Sequence, residues 1–285
     1  MYSDDVLSPN WGGLQWSEWV PLKDRKLIPN LPGVYRVRAK GVNHLFYIGQ
    51  TGASLRGRLA ALSTHTYATE MPFDDPHTAA PNLWVLLKEY GYEYECSAAP
   101  SSDDKRERMG CEDYLLWCHR ATTGVSTQCN YGRFHKAYSK SSARVRGIRG
   151  LRLPEEIINP ASGPSMDHLV LFNNPTDLDW MGLEWHPVVG SGIAPKTLST
   201  LPCVYKMVDK KTNDVVYIGQ TSNCRSRFNN HSVLKKVKQY LEQYEVHVSL
   251  LDSTILLHQL HEIESDLLGA YYHLKRRVPK YQYGG

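Results

Sequence analysis

With 285 residues, 41% of them hydrophobic and 22% charged, the chain can bury one large core or two modest ones, which excludes a disordered or fibrous protein. It has no apolar run of about eighteen residues, and Met1-Tyr2-Ser3-Asp4-Asp5 lacks the basic-then-apolar pattern of a secretory signal, so a cytoplasmic protein without membrane contact is expected. A net charge of +4 is too mild to name a partner, and six cysteines with no C-x-x-C pair argue against a zinc knuckle or a disulfide framework.

In chain order, Asn10-Trp11-Gly12-Gly13-Leu14-Gln15-Trp16 comes first, its two tryptophans suited to anchoring a core. Leu31-Pro32-Gly33-Val34-Tyr35 then opens a β-branched and aromatic run, Val34 to Ala39. Lys40-Gly41-Val42-Asn43 joins it to a second run, Leu45 to Ile48, and the pattern predicts two antiparallel strands. In Tyr47-Ile48-Gly49-Gln50-Thr51 the glycine is expected to end the strand. Ser54 to Leu62, carrying Arg56 and Arg58, has helical spacing. Tyr92 to Ser97 alternates as a third strand, and Arg106 to Arg120 is helical, with Leu115, Leu116 and Trp117 toward a core.

These features return in the same order. Leu201-Pro202-Cys203-Val204-Tyr205 and Tyr217-Ile218-Gly219-Gln220-Thr221 repeat the strand motifs 170 residues on (31 to 201, 47 to 217), followed by Arg225 and Arg227. Asp179-Trp180-Met181-Gly182-Leu183-Glu184-Trp185 repeats the tryptophan segment at 169. Tyr92-Glu93-Tyr94 matches Tyr244-Glu245-Val246, Glu112 matches Glu264 and Asn130 matches Gln282, all at 152. The fall in offset places about eighteen extra residues in the first copy, near Thr64 to Trp84. The expected fold class is therefore α+β: two tandem units, 1–138 and 179–285, each a three-stranded antiparallel sheet flanked by helices, forming a pseudo-dimer, with a linker at 139–178. That linker is rich in Gly, Ser and Pro. From Tyr131 to Arg152 the chain carries Arg133, Lys136, Lys140, Arg144, Arg146, Arg149 and Arg152 and no acidic residue. One sign of charge threaded with Gly and Ser suits a flexible arm along a polyanion.

Paired strand tyrosines, a close-packed glycine, a helical arginine, a later glutamate and a terminal Asn or Gln suit a phosphodiesterase site. Arginine matches phosphate by paired hydrogen bonds, a lone carboxylate holds a hydrated divalent cation, and a phenol relays a proton. On these residues, over about 31–132 and 201–284, the chain resembles the GIY-YIG nucleases. The resemblance implies a Mg2+- or Mn2+-dependent endonuclease acting on double-stranded DNA, most like a restriction enzyme specific for a sequence or a base modification. It assigns catalysis to Tyr35, Tyr47, Arg56, Arg58, Glu112 and Asn130 in the first copy and to Tyr205, Tyr217, Arg227, His231 and Glu264 in the second. Glu112 and Glu264 are the implied metal ligands.

The copies depart from the family pattern in different places. The second keeps Arg227 and His231 at R-x-x-x-H spacing, yet has Cys203 for the leading glycine and Gln282 for the asparagine. The first keeps Gly33 and Asn130, yet Leu62 stands four after Arg58, so the auxiliary role falls to His65, to His77 in the insertion, or to neither. Because it retains the metal glutamate, the asparagine and the neighbouring basic run, the first copy ranks first for catalysis, with activity of the second copy as well left open. A homing or repair nuclease is one alternative, and a DNA-recognition module with one or both copies catalytically degenerate is another. The chain is expected to act as a monomeric pseudo-dimer or a homodimer.

Overall fold

The computed structural model describes residues 5–189, 198–230 and 243–284. The chain divides into two compact units, Met1–Ser165 and Met166–Gly285, and segment 139–165 of the expected linker falls within the first. Unit 1 holds strands β1 (Val20–Pro21), β2 (Gly33–Ala39), β3 (Tyr47–Thr51) and β4 (Tyr94–Pro100), with helices α1 (Leu55–Thr66), α2 (Ala80–Tyr90) and α3 (Lys105–Thr123). Unit 2 holds β5 (His186–Val189), β6 (Cys203–Asp209), β7 (Asp214–Thr221) and β8 (Tyr244–Leu250), with α4 (Cys224–Asn230) and α5 (Leu257–Lys275) among its described residues. Both sheets are antiparallel, in the orders β1-β4-β2-β3 and β5-β8-β6-β7.

The α+β class and the repeated hairpins match the expectation. The strand count does not, because each sheet has four strands rather than three. The added strands are a two-residue Val-Pro step and a His186–Val189 segment interrupted by Pro187 and a register shift. Neither is long enough to show period-two alternation. The third strand is also displaced. Arg36 faces Ser97 and Lys206 faces His247, so Tyr94, not Tyr92, is the counterpart of Tyr244. A slip of two residues leaves every side chain on its original face, which is why either alignment satisfies the pattern. Gly49 and Gly219 do not end their strands, which continue to Thr51 and Thr221.

Helices cover both faces of the unit 1 sheet, so β2 alternates between two cores. Tyr35 and Val37 pack with Leu55, Leu59 and Leu62 of α1 and Leu83 and Leu86 of α2. Val34 turns to the opposite side, with Ile48, Ala99, Leu115, Leu116, Trp11 and Trp16. Arg36 is fully buried on that second side. Its guanidinium donates to the carbonyls of Val6, Leu7 and Ser8 and lies 4.3 Å from the Trp16 ring and 4.7 Å from Trp19. Unit 2 repeats the device with Lys206, which donates to the Pro175 and Asp177 carbonyls and sits 4.5 Å from the Trp185 ring. In both units the second tryptophan donates its indole N–H to the carbonyl of the first, Trp16 to Trp11 and Trp185 to Trp180. The recurring tryptophans are thus walls of cation cages. The turn between them needs a positive φ, met by Gly12 at 62° and less easily by Met181 at 59°. Burial lowers the Arg36 guanidinium to about 9 and the Lys206 ammonium to about 7, so the second cage is the more sensitive to pH.

All six cysteines are free thiols, five of them buried and Cys118 partly so. Leu55 and Cys224 occupy equivalent places at the starts of α1 and α4, donating their amides to the carbonyls of Leu31 and Leu201. A Cβ on Gly33 would press into the Ala99 carbonyl oxygen and lie 3.0 Å from Leu55 Cδ1. Unit 2 places the buried Cys203 there and shortens the facing side chain to Cys224, which relieves the second of these contacts, while the first is set by the backbone of the neighbouring strand. Among the described residues no helix is long and apolar enough to cross a membrane.

Candidate active site in unit 1

Strands β2 and β3 bring Tyr35 and Tyr47 together, with ring centroids 5.9 Å apart. The approach depends on Gly49, opposite Tyr35 in the ladder, where a Cβ would stand 2.7 Å from the Tyr35 Cζ and Oη and 2.8 Å from the Tyr47 ring. No residue with a side chain fits beneath both phenols.

Helix α1 starts at Ser54, whose Oγ accepts from Gly57 N–H at 2.9 Å. That start fixes which of the two arginines reaches the tyrosines. Arg58 lies beside the Tyr35 phenol and donates to the Pro76 carbonyl at 3.0 Å. Arg56, half a turn away, donates to the carbonyls of Ile28 and Lys26 and holds the preceding loop, so it is not brought into the group. Arg225 does the same in unit 2 by donating to the Leu198 carbonyl at 2.8 Å.

Helix α3 is capped by Asp104, which accepts from the amides of Arg106 and Glu107. The cap sets the phase that presents Glu112 to the tyrosines. Glu112 is half-buried, and its carboxylate accepts no hydrogen bond from any described residue. Burial, reinforced by Asp113, pushes its carboxyl up to about 8, against the pull of Arg58 and Arg108. Arg108 stands four residues before Glu112 on one helix face and donates to Gln50 Oε1 at 2.9 Å. The i, i+4 spacing from Glu112 could have drawn Arg108 to notice from sequence.

The two phenols differ. Burial raises Tyr35, with Arg58 pulling it back, whereas Tyr47 stands well above its ordinary value, driven by burial and by Tyr35. The Tyr35 hydroxyl is buried and makes no hydrogen bond although Arg58 lies against it, and Arg58 Nε is likewise unpartnered. The insertion adds His77, which is buried with neither ring nitrogen bonded, its ring centroid 5.5 Å from that of His65. His65 Nδ1 donates to the Ala61 carbonyl at 2.7 Å. Tyr35 Oη, Arg58 Nε and both His77 nitrogens are therefore polar atoms without partners in one place, beside an unbonded carboxylate.

Burial, with Arg58 and His65 adding to it, lowers His77 to about 3. An unfolded imidazole protonates near ~6.5, so between those values the unfolded chain binds more protons and the folded state loses stability as pH falls. The contribution is complete above ~6.5 and shrinks by at most ~1.4 kcal/mol per pH unit toward about 3. Denaturant midpoints followed from about pH 7 to about pH 4 should drop less steeply for His77→Gln than for the wild type; parallel curves would show that His77 is not the group that titrates.

Asn130 has a different office. Its side-chain amide donates to the Ile48 carbonyl at 2.8 Å and accepts from Ile48 N–H at 3.0 Å, closing the free edge of β3 between the site tyrosine and Gly49. Gln282 accepts from Ile218 N–H at 3.2 Å in the same position. Asn130 and Gln282 thus both bond to the backbone of the strand that carries the second tyrosine.

The seven basic residues separate by environment. Lys140, Arg149 and Arg152 pair with Asp74, Glu70 and Glu89. Arg133 donates to the Ser126 carbonyl and to Ser165 Oγ. Lys136, Arg144 and Arg146 project from the surface. The run is not a free arm: Tyr138 bridges Arg152, Ser139 N–H donates to the Leu151 carbonyl, and Ser142 N–H to the Ile148 carbonyl.

In unit 2 Tyr205 and Tyr217 stack at 6.0 Å above Gly219. Burial and Tyr217 together raise Tyr205, with Arg227 pulling it down less. Glu264 is half-buried, 3.9 Å from His261 Nδ1, and His261 lies 3.4 Å from Gln220. His231 lies outside the described residues.

Among the described residues no three His, Cys, Asp or Glu side chains cluster to cage a metal ion. The donor set fits a hard divalent cation only in the manner of Mg2+, held by one carboxylate with water and substrate oxygens completing its shell. Scans against protein-family models, curated proteins and solved structures find no match to this chain.

Proposed function

We propose that the chain is a divalent-metal-dependent DNA endonuclease of the GIY-YIG type, restriction-like in acting on a particular sequence or base modification, with catalysis in unit 1. The observation that carries the reading is the convergence of unpartnered polar groups, Tyr35 Oη, Arg58 Nε and the His77 nitrogens, beside the unbonded Glu112 carboxylate. Buried polar atoms are rarely left without partners, and a phosphodiester with its attacking water would bond to this set.

In this reading Glu112 would hold Mg2+ or Mn2+ together with water and substrate oxygens, and the ion would supply Lewis-acid stabilisation of charge on the phosphate. Arg58 binds the phosphate oxygens and is placed to stabilise the charge that grows on them. Tyr35, whose acidity Arg58 partly restores, would orient the attacking water and relay its proton, passing the phenol's own proton on to solvent as it accepts the water's while the water oxygen bonds to phosphorus and the bond to the leaving oxygen breaks; Tyr47 would stay protonated as a hydrogen-bond donor. His77 supplies a neutral imidazole from the insertion, in the place left by Leu62. A recognition role for unit 2 is favoured by the buried Cys203 that stands where unit 1 has Gly33.

Incubation of the chain with unmodified and base-modified duplex DNA and Mg2+ is expected to yield cut ends. Chelation should stop the reaction, and Arg58→Ala should slow it by roughly 10²–10³-fold. Failure to cut any duplex with either Mg2+ or Mn2+ would overturn the enzyme reading.

A further inference from the structure

The insertion and the basic hairpin 138–152 enclose a cavity of about 380 Å3 lined by His65, Thr69, Glu70, Phe73, Arg144 and Arg149. Its size falls within the roughly 300–1,000 Å3 of ligand pockets. His65 belongs both to this cavity and to the ring pair with His77, which lies against Arg58, so the cavity opens beside the proposed reacting group.

The cavity has a fixed frame. Asp74 N–H donates to the Ser142 carbonyl at 3.2 Å, Lys140 pairs with Asp74 at 3.6 Å, and the Arg144 amide donates to Asp75 Oδ1. Arg149 belongs to that frame. It pairs with Glu70, the one carboxylate in the wall, at 3.1 Å and so neutralises it, donates to the Met71 carbonyl, and lies 4.5 Å from the Phe73 ring.

Arg144 and Arg146 differ from it. Both side chains are exposed and make no hydrogen bond or ion pair among the described residues, and Arg144 lies 5.6 Å from the Phe73 ring. Between them Val145 is 92% exposed. Two exposed guanidinium groups flanking an apolar tip, on a hairpin braced against an aromatic floor, offer phosphate contacts on either side of a surface that a sugar can cover.

We propose that this cavity and hairpin tip bind the DNA backbone next to the phosphodiester that is cut, with Arg144 and Arg146 on phosphates and Phe73 and Val145 against the sugars; the inference rests on the nuclease reading of unit 1. It makes strand engagement a property of the insertion and hairpin, and it removes Arg149 from the contact set.

Binding of a labelled duplex to the full chain in chelator, followed against salt concentration, tests it. For Arg144→Gln/Arg146→Gln the dependence of log Kd on log salt should flatten by about 0.9 per lost phosphate contact. With metal, KM should rise while kcat is kept within about twofold, because the lost contacts bind ground and transition states alike. Arg149→Gln should lower the melting temperature and leave the salt slope as in the wild type. An unchanged slope in a double variant that melts like the wild type overturns this inference while leaving the nuclease reading in place, as does an equal loss of slope in Arg149→Gln. A wild-type chain that neither binds nor cuts duplex overturns both.

Discussion

Glu112→Gln should lose metal-dependent cleavage by roughly a thousandfold or more, the several kcal/mol that a metal-held phosphate contributes to the transition state, without loss of stability. The two effects part because burial holds the Glu112 carboxyl at about 8. At pH 7 a carboxyl with that value is mostly protonated in the folded chain but ionised in the unfolded one, so folding carries the cost of taking up a proton, and glutamine presents the neutral shape without that cost. The melting temperature should therefore stay level or rise, and duplex binding in chelator should persist. A variant that still cuts at the wild-type rate removes unit 1 from catalysis. The same exchange at Glu264 reads the second unit: nicked product assigns it one strand, unchanged cutting assigns it recognition, and complete loss moves the chemistry there.

The largest effect on stability is expected at Arg36. Arg36→Met keeps the volume but strips the donor from three carbonyls, Val6, Leu7 and Ser8, and empties the space beside Trp16 and Trp19. Breaking a buried charged network of this kind costs about 3–5 kcal/mol. That is a large part of the 5–15 kcal/mol that holds a typical domain folded. Chemical denaturation should show the unfolding of unit 1 at a much lower midpoint. Lys206→Met should cost less, since Lys206 holds two carbonyls and burial already draws it to about 7. Equal stability of Arg36→Met and the wild type would show that the cage contributes nothing net.

Local patterns carried most of the fold. The hairpins, the helix bearing Glu112 and the repeat itself depend on residues within one or two turns of each other, where spacing translates directly into a face. The missing parts depended on partners far away in the chain. Strands β1 and β5 are defined only by pairing with β4 and β8. Helix α2, whose start has a proline in its first turn, lies across the end of what spacing marked as an insertion. Arg56 and Arg58 look alike in sequence and part only once the Ser54 cap sets the helix phase. The run from Arg133 to Arg152 reads as uncompensated because Glu70, Asp74 and Glu89, which answer it, precede it by 63 to 79 residues. Asn130 resembled a site residue by its place in the motif, and its amide proved to be spent on the backbone of Ile48.

A chain that folds nearly the same sheet twice must keep the halves from trading partners while it forms. The Gly33–Leu55 and Cys203–Cys224 pairs divide the space at the start of each helix differently. If β6 were to receive α1, Cys203 would have to displace the Leu55 methyl that a Cβ at Gly33 already approaches to 3.0 Å. If β2 were to receive α4, Gly33 and Cys224 would leave a gap, with a penalty that grows by about 24 cal/mol for each Å3 left empty. A difference in side-chain size, added to chain order, thus favours pairing of each strand with the helix that follows it.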